Sequence, residues 1–402
     1  MFSRDPDIPR IFYILLIGRF FNLVGNSLVF PLGNSLVFPF MTIYLAARLH
    51  AALSTVGIVM TFYGGAQVLS VLVGGVWSDR FGRRRVMLAS LLLGAAVTFF
   101  VGSMHSSWAL ISLLSLMGFF VPLFQPASMA MVGDIVPRPR LNYAYSLMRM
   151  ASNAGIIIGP MLGGLLADHS FFWIFALDAL SMLVFFAVIF FAIPETRPQN
   201  LQGARTPGRM SDILRDPSFV QFSVLWALTA LVYSQLFMVV PAYLHINLGY
   251  QPSVFGYLAA ENAVFVVLLQ IPITRITRNA SRLTLMAAGV LFYALGFWMM
   301  LSGHALWVFA VAVFIITLGE NVINPAASAW VAERAPEDLR GRYMGFFSLA
   351  NRAGAALGPL AGGLLLTQGP VWWLSATGLV AILTAHGYWR FGRRTSRQTA
   401  PS

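Results

Sequence analysis

The chain of 402 residues contains no cysteine, and each of its 26 basic residues is an arginine. Without cysteine there can be no disulfide, no thiolate metal site and no cysteine nucleophile, and the redox compartment leaves no trace in the sequence. Without lysine the chain cannot hold the G-x-x-x-x-G-K-[ST] loop that cradles ATP phosphates, nor form a lysine Schiff base. Charge of either sign is scarce. Only 10% of residues are charged, 58% are hydrophobic and the mean hydropathy is +0.75, whereas a soluble domain carries roughly 25% charged residues. Such a composition excludes a soluble fold. The formal net charge of +12 would suit nucleic acid only if the arginines formed one patch, and they do not.

A helix that crosses the hydrocarbon core needs about 20 mostly apolar residues. Apolar runs of that kind give twelve segments: 12–45, 53–77, 86–104, 108–133, 143–166, 171–193, 219–246, 253–276, 283–302, 305–331, 342–366 and 371–389. All are expected to be helical, because an open sheet edge cannot persist in lipid. The longest polar stretch, 194–217, is rich in Pro, Gly, Gln and Arg and reads as a linker. The expected fold is therefore an all-α membrane protein of twelve transmembrane helices. Two six-helix bundles (1–193 and 218–390) flank the linker, with a tail over 391–402. Apart from Arg48 on one side and Arg19, Arg149 and Arg352 inside spans, every arginine falls in the N-terminal segment, the alternate loops or the tail. The positive-inside rule then places both termini in the cytoplasm, as an even number of spans also requires. The basic balance is accounted for by topology and anionic head groups, so no nucleic-acid partner is expected. The first apolar run is too long for a signal peptide and lacks a small-residue cleavage site, which makes it an uncleaved span.

The halves correspond at a shift of 199 residues. Pro126, Asp134 and Pro137 meet Pro325, Glu333 and Pro336; Gly155, Gly159, Pro160, Gly163 and Gly164 meet Gly354, Gly358, Pro359, Gly362 and Gly363; Tyr44 and Gly57 meet Tyr243 and Gly256. Two repeated bundles with a site between them at mid-membrane are an architecture used for alternating access. A second, local repeat copies Gly25-Asn26-Ser27-Leu28-Val29-Phe30-Pro31 as Gly33-Asn34-Ser35-Leu36-Val37-Phe38-Pro39. It reads as a tandem duplication that stretches the first span beyond what a bilayer requires, so the helix must tilt, extend or break near Pro31.

The segment Gly75-Val76-Trp77-Ser78-Asp79-Arg80-Phe81-Gly82-Arg83-Arg84-Arg85 resembles the G-x-x-x-D-R-x-G-R-R loop of the major facilitator superfamily. Gly155-x-x-x-Gly159-Pro160-x-x-Gly163-Gly164 is similar to the glycine-proline motif of its proton-coupled antiporters. Arg149-x-x-x-Asn153-x-Gly155 and Pro39-Phe40-Met41-Thr42-Ile43-Tyr44-Leu45 resemble segments of bacterial drug-efflux members. The second-half counterpart of the Asp-Arg loop, around 274–282, has lost its acid and its Gly-Arg-Arg. The fourth span lacks the embedded arginine of many antiporters.

The resemblance implies a gate at Gly75, Asp79, Arg80, Gly82, Arg83 and Arg84, with Asp79 facing the start of the eleventh span in one state. A carboxylate is favoured at a helix N-terminus, Gly82 suits a tight turn, and the arginines can pair with acids or lipid phosphate. The plainer alternative is a solvated positive-inside loop. The glycines and prolines of spans five and eleven permit close helix approach and bending, or serve antiport directly.

Charged residues inside spans need a partner or a water-filled cavity. They are Arg19, Arg149, Asp178, Glu261, Glu320 and Arg352. Glu320, followed by Asn321 and Asn324, would face the central cavity if the resemblance holds; a carboxylate out of water favours its neutral form and can exchange a proton for a cationic substrate. Glu261 with Asn262 ranks second and Asp178 third as proton-coupling candidates. Arg149 and Arg352 could pair with these acids or hold an anionic substrate. Phe38, Tyr44, Tyr63, Gln67, Gln125, Asn153, Tyr233 and Gln235 are candidate cavity walls, together with the asparagines 262, 321 and 324. The histidines read as interfacial or packed rather than metal-ligating, so no metal site and no cofactor beyond protons as coupling ion are expected.

The function expected is export of small amphipathic compounds by proton antiport, through a monomeric multi-pass protein of the bacterial inner membrane that uses no ATP and is not an enzyme. The alternatives are a transporter of one metabolite or nutrient on the same fold, and a non-transporting sensor or lysophospholipid flippase. Asp79→Asn is expected to reduce transport while leaving membrane insertion intact. Unchanged uptake into vesicles at equal expression would reduce Asp79 to a residue of a solvated loop.

Overall fold

The computed structural model describes residue 12, 37–104, 106–137, 144, 148, 159–196, 215–335 and 340–398. Among the described residues the chain is helical, with no strand. The helices are α1 (Phe38–Leu49), α2 (Leu53–Phe81), α3 (Arg83–Ser103), α4 (Trp108–Ile135), α5 (159–169), α6 (Phe171–Ala192), α7 (Pro217–Asn247), α8 (Pro252–Thr277), α9 (Arg282–Ser302), α10 (Leu306–Arg334), α11 (Arg340–Gln368) and α12 (Pro370–Gln398). Most of the local duplication lies outside the described residues.

Length and composition qualify α2, α3, α4, α6, α7, α8, α9 and α10 to cross a membrane. The described parts of α1 and α5 are short, and α11 and α12 carry more polar side chains. The outer surfaces agree with a lipid solvent: Phe62, Trp173, Phe191, Leu268, Ile271 and Trp372 are exposed. A water-soluble monomer rarely leaves so much apolar surface bare.

Helix ends follow local chemistry. Gly82, at φ +100°, separates α2 from α3 in a backbone conformation that a side chain would strain. Asp216 caps α7 by accepting from the amides of Ser218 and Phe219, with Pro217 in the first turn, where its missing N–H is harmless. Proline also sits inside helices: a 3-10 turn, Val121–Leu123, breaks α4 at Pro122, and α8, α10 and α11 carry Pro272, Pro325 and Pro359.

The chain divides into two compact units. Unit 1 comprises Met1–Ala51, Phe62–Ala204 and Gly249–Ala260, and unit 2 comprises Ala52–Thr61, Arg205–Leu248 and Glu261–Ser402. The main division falls inside the expected linker. Each unit also takes in a short piece from the other half of the sequence: the start of α8 belongs to unit 1 and the start of α2 to unit 2.

Glycine explains how these pieces fit. In unit 1 the backbone of Gly256 lies against the carbonyl of Pro160, and Gly164 lies against Ser253, whose amide donates to Asp168 Oδ1 at 3.0 Å. In unit 2 Gly57 meets the Pro359 carbonyl and Gly363 meets that of Leu53, while Thr61 Oγ1 donates to Ala356 O at 3.1 Å. Shifting Gly57, Pro359 and Gly363 against Gly256, Pro160 and Gly164 by 199 residues superimposes one set on the other. The repeat seen in sequence is thus a repeated backbone contact. Elsewhere unit 1 packs α3 on α6 and α4, whereas unit 2 packs α9 on α10 and α12, and α7 on α11. An aromatic cluster seals unit 2 near the start of α7, with Phe222 stacked on Trp330 at 4.1 Å and Phe219 beside Tyr343 at 4.4 Å.

A methyl group at Gly57 would overlap the Pro359 carbonyl, whereas one at Gly65 would meet nothing within 4 Å. Gly57→Ala should cost about 1–3 kcal/mol and lower the detergent melting temperature, and Gly65→Ala should not. Equal melting curves for the two variants would remove the contact from the fold's essential packing.

Candidate functional site

Two polar clusters stand out, one in each unit. In unit 1 the turn at Gly82 brings the end of α2 against the start of α3. Arg83 is buried there; its Nη1 donates to Asp79 Oδ1, and its Nε donates to Asp134 Oδ2 at 3.1 Å from α4. Glu195, just past α6, accepts from the amides of Arg83 at 2.8 Å and Arg84 at 3.4 Å. Those amides open α3 and have no partner inside the helix, so the carboxylate caps it. The Glu195 carboxylate fills the space that a side chain at residue 82 would need, so Gly82 is required twice over, by its backbone angle and by its neighbour. Arg84 Nη2 donates to Phe190 O at 2.6 Å, with its guanidinium 5.4 Å from the Phe190 ring. Arg80 is exposed and lies over Phe81. Nothing lies within 4 Å of a Cβ built on Gly75; the neighbouring Gly74 is the one packed against Pro126.

Asp79, Arg83, Asp134 and Glu195 therefore tie α2, α3, α4 and the end of α6 together. Sequence reasoning found the first two and reached Asp134 through the repeat, but missed Glu195. The available signal was an acid directly after an apolar run in a chain with only 14 acids.

In unit 2, α7, α8, α9 and α10 converge on Glu320. Asn262 Nδ2 donates to Glu320 Oε2 at 3.0 Å and to Thr317 Oγ1 at 2.8 Å. Tyr233 lies close enough to Glu320 to interact with its carboxylate, and its ring stacks on Tyr293 at 5.5 Å. Asn324 Nδ2 reaches Glu320 Oε1 at 3.5 Å. The predicted residues Glu320, Asn262, Tyr233 and Asn324 are thus brought together, joined by Thr317 and Tyr293, which sequence reasoning did not select. Among the described residues no arginine pairs with Glu320.

The other candidates lie apart. Glu261 is half-buried and has no hydrogen-bond partner among the described residues. Asp178 is fully buried, with neither carboxylate oxygen hydrogen-bonded. The flanking contacts of Phe175 with Gly102 and Met182 with Gly94 put Asp178 on the face of α6 that meets α3. Asn321 donates to Phe265 O at 3.5 Å rather than to Glu320. Gln235, 1% exposed, accepts from Trp373 Nε1 at 3.0 Å and donates to Gly358 O at 2.9 Å, pinning α7 to α11 and α12. Tyr44 donates to Val101 O and packs on Phe175, and Tyr63 is buried beside Gly118. Gln67, Gln125 and Arg352 are half-buried, and Phe38 opens α1. In the bend motif Gly159, Pro160, Gly163 and Gly164 are helical. Arg19, Arg149, Asn153 and Gly155 lie outside the described residues.

A third set of polar contacts fastens the start of α7. Besides capping that helix, Asp216 accepts from Arg334 Nε at 3.1 Å and Nη2 at 3.2 Å, and from the Tyr343 hydroxyl at 3.3 Å. Partial burial pushes its carboxyl up, but the Arg334 guanidinium and the Phe219 and Ser218 amides outweigh this and hold it below the usual carboxylate range.

A helical membrane chain with repeated halves and internal polar clusters is the architecture of a secondary transporter. The sequence matches the Major Facilitator Superfamily over residues 15–260 and 245–402, and the chain belongs to that family. It is 30% identical to the MFS-type transporter YttB of Bacillus subtilis, over 89% of each chain. It is 26% identical to the Na(+), Li(+), K(+)/H(+) antiporter of Planococcus maritimus, over 99% of each. With the multidrug resistance protein MdtH of Escherichia coli (strain SMS-3-5 / SECEC) it shares 28% identity over 96% of each chain. In fold it is similar to a crystal structure of the peptide transporter POT in complex with sulfate, with a TM-score of 0.78 over 97% of this chain and 95% of that one, at 18% identity. The protein is thus a multi-pass membrane transporter of this superfamily.

Because the Asp216 carboxyl is held low in the folded state, the stability it adds is present above its unfolded pKa of about 4 and is lost as pH falls through the lower folded value. Asp216→Asn should lower the detergent melting temperature at neutral pH by a constant margin that closes only in strong acid. A margin that instead closed between pH 8 and pH 6, or no margin at all, would overturn this assignment.

Proposed function

We propose that the protein is a twelve-span exporter of small amphipathic compounds, driven by proton influx through alternating access. The observation that carries this reading is the Glu320 cluster. A membrane acid surrounded by the neutral groups of Tyr233, Asn262 and Asn324, and paired with no arginine among the described residues, can take a proton or a cationic substrate but cannot satisfy both at once. Mutual exclusion on one carboxylate is the minimal chemistry of antiport. The names of two relatives support it: one exchanges monovalent cations for protons, and the other is a multidrug resistance protein. The aromatic rings of Tyr233, Tyr293 and Phe237 beside the acid suit a flat, partly apolar cation.

In this reading both termini are cytoplasmic in a bacterial inner membrane, as the arginine distribution requires. The transporter works as a monomer in lipid, with protons as coupling ion, no other cofactor, no ATP and no nucleic acid. Glu320 ranks ahead of Glu261 and Asp178 as the coupling acid because it alone of the three is held by side chains from other helices. Similarity to a peptide transporter keeps a single metabolite class as the second reading of the substrate.

Proteoliposomes holding an imposed pH gradient test both parts. Addition of several lipophilic cations should collapse the gradient for the wild type and for Asp178→Asn, but not for Glu320→Gln. Collapse by one metabolite class alone would move the protein to the second reading, and undiminished collapse with Glu320→Gln would remove Glu320 from the coupling step.

A further inference from the structure

The two halves handle charge differently at their arginine-rich loops. In unit 1 Arg83 is neutralised by Asp79 and Asp134, and Glu195 adds a third carboxylate. In unit 2 the corresponding arginine, Arg282, keeps the counterpart of Asp134, with Nη2 at 3.1 Å from Glu333 Oε1. At a shift of 199 residues, however, Asp79 becomes Arg278 and Glu195 becomes Arg394. Two carboxylates have been exchanged for two guanidiniums. Arg278 and its neighbour Arg275 are exposed and have no acidic partner among the described residues.

Both arginines lie on an open surface patch at the end of α8, together with Gln270, Ile271 and Thr274. The five residues recur at helical spacing on one side of α8. Gln270 Nε2 donates to Thr274 Oγ1 at 3.2 Å and to Asn321 O at 3.1 Å. The Thr274 hydroxyl therefore accepts one hydrogen bond and can still donate its own proton to a group lying on the patch. Along α8 from this patch run the exposed apolar side chains of Val264, Val267, Leu268 and Ile271. Two guanidiniums and a hydroxyl at one end of a bare apolar stripe match an anion that carries a hydrocarbon tail.

We propose that Arg275, Arg278 and Thr274 bind a phosphate-type anion, which supplies the negative charge that the second half lacks in place of the Asp79 carboxylate. Guanidinium groups grip phosphate oxygens through paired N–H donors, and arginines close to a membrane surface attract anionic lipid head groups. An anionic phospholipid and free phosphate share this chemistry. The apolar stripe favours the lipid. The site is independent of the proton-coupling assignment, because neither arginine touches the Glu320 cluster.

The test uses the full-length protein in nanodiscs of zwitterionic lipid, with or without phosphatidylglycerol, read by lipid retention in native mass spectrometry. The wild type should retain phosphatidylglycerol. Arg275→Gln with Arg278→Gln should weaken retention about tenfold, while Arg390→Gln with Arg393→Gln, which removes equal charge from α12, should not. In discs without phosphatidylglycerol, inorganic phosphate raising the melting temperature of the wild type but not of the α8 variant would assign the site to a soluble anion. A third variant, Arg278→Asp, restores the first-half pattern; it should fold and lose its response to either anion. Equal retention by the wild type and the α8 variant with no phosphate effect, equal loss in the α12 control, or an undiminished response in Arg278→Asp would each overturn the proposal.

Discussion

Backbone rests directly on backbone where Gly57 meets Pro359 and where Gly256 meets Pro160, and most of the remaining architecture presupposes these two contacts. Each needs a residue without a side chain opposite the carbonyl of a proline in the neighbouring helix. The glycine-proline motif is therefore first a packing device, whatever else it does. It packs the start of α2 within unit 2 and the start of α8 within unit 1.

The polar groups are concentrated rather than scattered. At the start of α3 and of α7, carboxylates do two things at once: Glu195 and Asp216 cap a helix and hold the surrounding chain. Caps of this kind satisfy amides that lipid or a packed interior would leave costly. At Glu320 the donors Asn262 and Asn324 are neutral amide side chains, and the proposed exchange rests on that feature. Arginine-bound acids such as Asp79 and Asp216 have their charge committed. Glu320 does not.

Much of this was legible in the sequence, for identifiable reasons. Apolar runs of spanning length report the solvent around a helix, so the all-helical membrane class could be read without coordinates. The shift of 199 residues that aligns Gly159-Pro160 with Gly358-Pro359 pointed to repeated contacts, because glycine and proline have few other uses inside a span. Glu320 and Asn262 could be picked out because a charge in lipid demands company. The partners themselves were less visible. Gln235 has the composition of a cavity wall, yet it is consumed by Trp373 and a glycine carbonyl, a role set by which helix crosses it. Glu195 and Asp216 sit at helix ends, where an acid in sequence does not reveal which distant amide or guanidinium it meets. Gly74 and Gly75 are adjacent and chemically identical; only the position of Pro126 decides which of them is packed.

Every cation in the chain is a guanidinium, and a guanidinium keeps its proton at any pH a protein survives. The pairs Arg83–Asp134 and Arg282–Glu333 can therefore be loosened by chemistry from one side only. Alkalinity leaves them intact, and only acid reaching the carboxylates can release them. Base therefore leaves the frame of each unit standing, and a loss of transport in alkali would have to arise elsewhere in the molecule.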